Sequence, residues 1–135
     1  MRLRVAGEAG PLALDGHDVR GVECLGRVDN LAELYRTAQL VICPLREGTG
    51  SSIKIAEALA AGKPVLASQI AWRGYEIEAD AVLDPPFDGR WAPRISELLA
   101  SRRARERLFR AGVTALSCNA QGSTLLDLVE RVART

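Results

Sequence analysis

Residues 40–68 read LVICPLREGTGSSIKIAEALAAGKPVLAS, and this stretch decides the fold. Leu40–Cys43 is an unbroken apolar run, which is typical of a parallel strand that is covered on both faces. A glycine-containing loop follows, and the spacing of the next apolar residues predicts a helix over Ile53–Ala61. Val65–Ala67 is a second short apolar run. The stretch therefore predicts a strand, a helix and a second strand in succession.

Local signals mark both ends of this helix. Ser51 or Ser52 is a suitable N-cap, because a serine hydroxyl accepts a hydrogen bond from an unpaired amide of the first turn. Gly62 stands where the helix is expected to stop, and Pro64 follows it, a common combination at helix C-termini. Both ends of the helix are therefore predicted from neighbouring residues alone.

Similar patterns along the rest of the chain predict alternating strands and helices. Such alternation produces a parallel sheet with right-handed crossovers. The predicted fold class is α/β, with a Rossmann-like parallel sheet, flanking helices and a helical C-terminal third. Folds of this class bind ligands beyond the carboxyl ends of their strands, so we expect a site in the loops there. The further predicted elements are strands at Leu3–Ala6, Val22–Leu25 and Ala81–Leu83, and helices over Asp29–Ala38, after Asp88, after Ser101 and after Ser123.

The composition is that of an ordinary globular domain. The 135 residues carry a formal net charge of +1 and are 47% hydrophobic, and this length allows one core, so residues 1–135 are predicted to form a single domain. No apolar run approaches the ~18 residues that a membrane span needs, and the first residues lack the apolar stretch that is typical of a signal peptide. The near-neutral charge disfavours a nucleic-acid partner. The arginine-rich face over Arg102–Arg110 has no interleaved aromatic residues and is predicted to be solvated helix surface.

Side chains that form disulfides or bind metals are few and scattered. Cys24, Cys43 and Cys118 are an odd number of cysteines without paired spacing, so a disulfide framework is not expected. A reducing, cytoplasmic compartment is the predicted location. His17 is the only histidine, and a structural zinc site needs about four nitrogen or sulfur ligands. Neither a metal nor another cofactor is therefore predicted.

The loop before the central helix has the chemistry of a phosphate site. Gly48 and Gly50 allow backbone amides to approach a ligand closely, and the helix start adds unpaired amides and the positive end of its dipole. Thr49, Ser51 and Ser52 supply hydroxyl donors. The alternative is a flexible turn before a serine-capped helix, and the local chemistry favours neither interpretation.

Named motifs for phosphates and for acyl transfer do not match. The dinucleotide fingerprint lacks its third glycine, because Ile53 stands at that position. Gly62-Lys63-Pro64 lacks the hydroxyl residue and the upstream glycine of a P-loop. No Gly-x-Ser-x-Gly elbow occurs, and a single histidine disfavours a Ser-His-acid triad. None of these enzyme classes is predicted.

Three charged residues surround the glycine loop. Glu57 follows Ile53 by four residues, so its carboxylate is placed to accept hydrogen bonds from a ribose diol beside a phosphate at the helix start. Its neighbours are apolar, and an acid in such a setting is more often partnered than idle. Lys54 is either a solvated helix lysine or a counter-charge for phosphate. Glu47 either reaches sugar hydroxyls or is simply exposed.

The segment over Arg46–Val65 (REGTGSSIKIAEALAAGKPV) closely resembles the donor-binding half of GT-B glycosyltransferases of the group 1 family. The resemblance covers residues 3–84 and is most specific between 44 and 68. It implies a Rossmann-like C-terminal domain that binds a nucleotide-diphospho-sugar, in retaining enzymes that need no metal. The strand, helix and strand before the segment are matched by Gly26–Leu31, Leu34–Tyr35 and Leu40–Pro44.

The resemblance also assigns roles to single residues. Glu57 matches the glutamate that binds the donor ribose, and the glycine loop matches the loop whose amides contact the diphosphate and sugar. The common motif has another glutamate where this chain has Thr49, and Glu47 lies two positions earlier. A Gly-x-Gly-x-x-x-Lys variant occurs in the family. The predicted substrate-binding residues are Glu47, Gly48, Thr49, Gly50, Ser51, Ser52, Lys54 and Glu57, and no catalytic residue is assigned.

Two parts of the family's enzymes have no counterpart in the match. The catalytic arginine and lysine follow the first strand of the family domain, and this chain begins with what resembles the second strand. The resemblance covers no counterpart of the acceptor-binding N-terminal domain either. We therefore expect no turnover by this chain alone. The missing strand is central in the family fold, so we expect the sheet to re-pair or a second copy to cover the gap.

Three functional hypotheses follow. The first is a donor-binding domain of a glycosyltransferase. The second is a non-catalytic orphan Rossmann module that binds a nucleotide or self-associates. A sugar-nucleotide epimerase is weaker, because no matching base or acid is found. Trp72 and Arg73, after the strand that ends near Ser68, lie where a nucleobase or sugar packs, although packing within the loop is the favoured role.

Overall fold

The computed structural model describes residues 1–7, 20–48, 53–77, 81–82 and 89–118. The chain divides into two compact units, Met1–Leu34 and Tyr35–Thr135. The elements of the described residues are, in chain order, β1 (Leu3–Ala6), β2 (Val22–Gly26), α1 (Leu31–Thr37), β3 (Val41–Cys43), α2 (Ile53–Ala60), β4 (Val65–Ala67), α3 (Trp91–Ala100) and α4 (Arg102–Ser117).

The first unit contains the parallel pair β1–β2. Side chains of both strands are half-buried or exposed, and none is fully buried. The sequence offers Asp29 or Asn30 as the cap of α1, and Asn30 is the one observed, because its Oδ1 accepts a hydrogen bond from Ala32 N at 2.9 Å. The register pairs Leu3 with Val22, Arg4 with Glu23 and Val5 with Cys24, and shifts before Ala6 pairs with Gly26.

The second unit contains the strand–helix–strand succession predicted from residues 40–68. β3 and β4 are parallel, with Cys43 opposite Ala67, and Ser68 N continues the ladder by donating to Cys43 O at 3.2 Å. The burial expected for β3, a strand covered on both faces, is found in β4 instead: all three residues of β4 are buried, whereas in β3 only Cys43 is. The strand expected over Ala81–Leu83 is represented by a single parallel bridge between Val82 and Ala67.

α2 buries its apolar face and ends in a glycine motif. Gly62 has a φ of +71°, and its amide donates to Leu59 O at 3.0 Å, while Lys63 N donates to Ala58 O at 2.9 Å. This is the Schellman arrangement, in which the left-handed residue is nearly always glycine. The helix therefore stops at Ala60, one residue earlier than predicted, and for the predicted reason.

α3 and α4 form the helical C-terminal part of the described chain. Ser101 caps α4 as predicted, because its Oγ accepts from Ala104 N at 3.1 Å. Arg105 belongs to the arginine-rich face that was predicted to be solvated, but its side chain is half-buried. Its Nη1 donates to the carbonyls of Leu98 and Leu99 at the end of α3, each at 2.7 Å. α3 begins behind Arg90, which makes no side-chain cap. The predicted cap Asp88 and the predicted helix after Ser123 lie outside the described residues.

One hydrophobic core joins β4, α2, α3 and α4. α4 approaches α2 closely at Gly112, where a Cβ would lie 2.8 Å from Leu59 Cδ2. The parallel strand pairs, the helix between β3 and β4 and the C-terminal helices confirm the predicted class, which is α/β and Rossmann-like. No helix in the described part of the chain is long and apolar enough to cross a membrane. The fully buried larger side chains of the core are Trp72, Ile55, Leu66, Leu98, Leu116 and Val65.

Candidate functional site

The loop after β3 leaves the carboxyl end of the strand, as expected for a ligand site in this fold class. Glu47 and Gly48 are both exposed there. Gly48 has a φ of +153°, a conformation that residues with a side chain rarely adopt, so glycine is required at this point. Four other predicted site residues lie outside the described residues, namely Thr49, Gly50, Ser51 and Ser52.

Glu57 is the exposed acid of α2, and it has a partner from α1. Tyr35 Oη donates to Glu57 Oε2 at 3.4 Å, which is long for a hydrogen bond between two oxygens. The ring of Tyr35 packs against the core, so the hydroxyl is brought to Glu57 by a fixed support. Glu57 therefore has a polar neighbour in the fold, and its own side chain is exposed.

Burial and charge act together on the Tyr35 hydroxyl. Partial burial, followed by the negative charge of Glu57 and the hydrogen bond to it, raises the pKa of Tyr35 to about 12, and Cys43 contributes in the same direction. At neutral pH the phenol is therefore protonated and acts as a donor. One carboxylate oxygen of Glu57 faces this donor, which restricts the orientation of the whole group.

The start of α2 is suited to a negative charge. Its first turn contains no acidic residue, and Lys54 lies within it. Lys54 precedes Glu57 by three residues, so both project from the same side of the helix, and both are exposed. The free amides and dipole at this end favour anions, and the lysine adds a full positive charge within reach. The described residues give Lys54 no polar partner.

Side chains from the segment after β4 contact the loop after β3. Ser68 Oγ donates to Leu45 O at 2.7 Å, and Arg73 Nη1 donates to Gly48 O. Trp72 is fully buried, and its Nε1 donates to Ala81 O at 3.2 Å. The tryptophan therefore has a packing role, as favoured, within the core, and it is closed to a nucleobase. Arg73 is exposed, at the edge of the candidate site.

Two residues of this region were missed by sequence reasoning. Tyr35 fits the apolar stripe of α1, and the available signal was its hydroxyl, because a tyrosine on a buried face usually finds a polar partner. Ser68 carried no signal beyond its place at the end of a strand. Its contact with Leu45 spans 23 residues, and local patterns do not report contacts at that separation.

The described residues form no metal site, and a groove among them lies apart from the predicted site residues. The described residues contain no group of three or more His, Cys, Asp or Glu side chains that could hold a metal ion. A groove of about 360 Å³ is lined by Lys63, Pro64, Arg102 and Phe109, among others. Pro64 precedes β4, so this groove lies at the amino end of that strand, whereas the glycine loop leaves the carboxyl end of β3.

The comparisons with known proteins identify a family. A family model described as "Glycosyl transferases group 1" matches residues 1–101. No curated protein and no solved structure matches the chain. The match spans both described sheets, the candidate site, and α3, and it agrees with the family that the glycine loop and Glu57 resemble. The chain belongs to the group 1 glycosyltransferases.

Proposed function

We propose that residues 1–135 form the donor-binding domain of a retaining glycosyltransferase and bind a nucleotide-diphospho-sugar at the loop after β3 and the start of α2. The exposed carboxylate of Glu57, one turn into α2 and oriented by Tyr35, carries this assignment. Membership of the glycosyltransferase family supports it. The reducing, cytoplasmic location inferred from the cysteine pattern stays a prediction.

The diphosphate is assigned to the glycine loop and the first turn of α2. Gly48 has no side chain, and a Cβ there would meet no atom within 4 Å, so the space beside its backbone is open to a ligand. Free amides at the helix start, with the hydroxyls of Thr49, Ser51 and Ser52 and the charge of Lys54, complement phosphate oxygens. Negative charge develops on the diphosphate as the glycosidic bond breaks, and donors fixed in advance stabilise that charge.

The ribose is assigned to Glu57. A carboxylate accepts one hydrogen bond from each of two neighbouring hydroxyls, and Tyr35 limits the orientations that it adopts before the ligand arrives. Glu47 is proposed to contact hydroxyls of the transferred sugar. These contacts hold the donor in one orientation, which is a contribution to rate in its own right. We propose that this chain alone binds donor without transfer.

Calorimetric titration with UDP, GDP and ADP tests this assignment. We expect at least one of them to bind the wild-type chain, and Glu57→Gln to weaken that binding by about tenfold or more, because hydrogen bonds to a charged group are each worth roughly 1.5–3 kcal/mol. The 2′,3′-dideoxy form of the same diphosphate separates the ribose contact from the rest. Removing both hydroxyls weakens binding to the wild type but leaves the affinity of Glu57→Gln nearly unchanged.

Glu97→Gln is the matched control. Glu97 is an exposed helical glutamate on α3 whose partner is Arg94 at 2.7 Å, so this variant removes the same charge without touching the candidate site. We expect it to bind like the wild type. If none of the diphosphates binds, or if Glu57→Gln responds to loss of the diol as the wild type does, the donor-site assignment is wrong. Binding without transfer when an acceptor-binding domain is supplied would favour the non-catalytic module.

A further inference from the structure

Two side chains connect the segments that leave the carboxyl ends of β3 and β4. Ser68 Oγ donates to Leu45 O at 2.7 Å, close to the strand end. Farther out, the Arg73 guanidinium donates to Gly48 O, at the first glycine of the loop. The loop after β3 is therefore attached to its neighbour at two points, 45 and 48, rather than only at the strand end.

The segment that supplies these side chains is itself firmly supported. Ser68 is fully buried, and its backbone carbonyl accepts from Ala71 N at 3.0 Å and Trp72 N at 3.1 Å. Trp72 is also fully buried, and its ring meets that of Tyr75 edge to face with 6.4 Å between ring centroids. Arg73 therefore leaves a backbone that is anchored by buried residues on both sides.

The Arg73 contact acts at Gly48, a residue whose backbone has the conformational freedom of glycine. Gly48 has no side chain to pack, and its φ of +153° lies where most residues are strained, so local interactions hold it weakly. A guanidinium presents its donors in a planar fork, which makes it well suited to hold a carbonyl in one direction. The hydrogen bond thus orders the peptide from which the glycine loop begins.

We propose that Arg73 is a positioning residue for the donor diphosphate, because it holds the Gly48 peptide in place before the ligand binds. This role rests on the proposed function, since it concerns the same site. A peptide that is already held in place loses less conformational freedom on binding, and this saving appears as affinity. The benefit belongs to ligands that contact the loop, so it applies to the phosphates and not to the nucleoside.

Arg73→Met tests this role, because methionine keeps a long side chain and lacks all donors. We expect it to weaken binding of the preferred diphosphate among UDP, GDP and ADP by about tenfold, and to leave the affinity for the corresponding nucleoside unchanged. Arg73→Lys restores a charged donor and should recover most of the loss. Arg103→Met is the control, because Arg103 is an exposed arginine on α4. We expect it to bind both ligands like the wild type.

Hydrogen exchange without ligand adds a second readout. In Arg73→Met the amides of residues 45–48 should exchange several-fold faster than in the wild type, while those of β4 keep their protection. An unchanged diphosphate affinity in Arg73→Met, or equal losses for diphosphate and nucleoside, would overturn the role of Arg73 and leave the donor site standing. A wild type that binds none of the three diphosphates contradicts the donor site and the role of Arg73 together.

Discussion

At the scale of single residues, the carboxylate of Glu57 affects the ionisation of the Tyr35 hydroxyl. The carboxylate accepts from the phenol at 3.4 Å, and both the hydrogen bond and the negative charge oppose ionisation of the phenol. The ring packs against the core, which keeps the hydroxyl close to the negative charge of Glu57. A tyrosine that stays protonated in turn leaves Glu57 with a donor over the whole neutral range.

The pKa of Tyr35 should show directly whether its hydroxyl lies beside the Glu57 carboxylate. In a Tyr75→Phe background Tyr35 is the only tyrosine, and absorbance of the tyrosinate should show a midpoint at about pH 12. Glu57→Gln removes the charge and should lower the midpoint, while burial keeps it above that of an unfolded chain. Because the pKa of Tyr35 is higher in the folded chain than in the unfolded chain, its contribution to the free energy of unfolding depends on pH. This contribution is full below the unfolded pKa and is lost as the pH rises through the folded pKa.

The same titration contains its own control. Glu97→Gln removes an exposed carboxylate on α3 that is not among the groups that raise the pKa of Tyr35. Its midpoint should therefore equal that of the Tyr75→Phe background. If Glu57→Gln leaves the midpoint where it was, the phenol and the carboxylate are not in contact in solution, and the orientation of Glu57 needs another cause.

At the scale of elements, the packing of α4 on α2 depends on the absence of one side chain. A Cβ at Gly112 would lie 2.8 Å from Leu59 Cδ2 and 3.4 Å from Trp72 Cη2. A glycine inside a helix is unfavourable by about 1 kcal/mol relative to alanine. At Gly112 this cost is offset by the close approach of the two helices that the glycine permits. The helix gives up some intrinsic stability for this contact.

Gly112→Ala should therefore lower the free energy of unfolding by about 1 kcal/mol, because overpacking of roughly 1–3 kcal/mol exceeds the gain in helix propensity. Urea denaturation measures the change. In a Leu59→Ala background the overlapping atoms are gone, and the same substitution should be stabilising. A gain in stability from Gly112→Ala with Leu59 in place would show that the leucine moves aside at little cost.

The elements themselves were predicted well, because their signals are local. β1 and β4 have the predicted bounds, and the predicted caps Asn30 and Ser101 form their hydrogen bonds. In the candidate site, sequence patterns identified the glycine loop and Glu57. Patterns of this kind do not report which side chains meet across the fold, so the partners of Glu57 and Gly48 came from the structure. The roles of the predicted site residues stay predictions.

At the scale of the whole molecule, burial is unequal between the two units. All of β4 is buried in the second unit, whereas no residue of β1 or β2 in the first unit is. Within the described residues, β1 and β2 pair only with each other, so each has an unpaired edge. A two-stranded sheet is marginally stable by itself, and unpaired edges are templates for pairing with another chain.

We therefore predict that a second copy of this chain pairs with the β1–β2 edges in solution. Sedimentation under reducing conditions, needed because the Cys24 and Cys118 thiols are exposed, should give a mass that rises above the 14.6 kDa monomer with concentration. Amides of β1 and β2 should exchange more slowly as concentration rises, because pairing protects them, while those of β4 stay constant. A monomer at every concentration, with constant exchange in β1 and β2, would mean that these edges are covered within one chain.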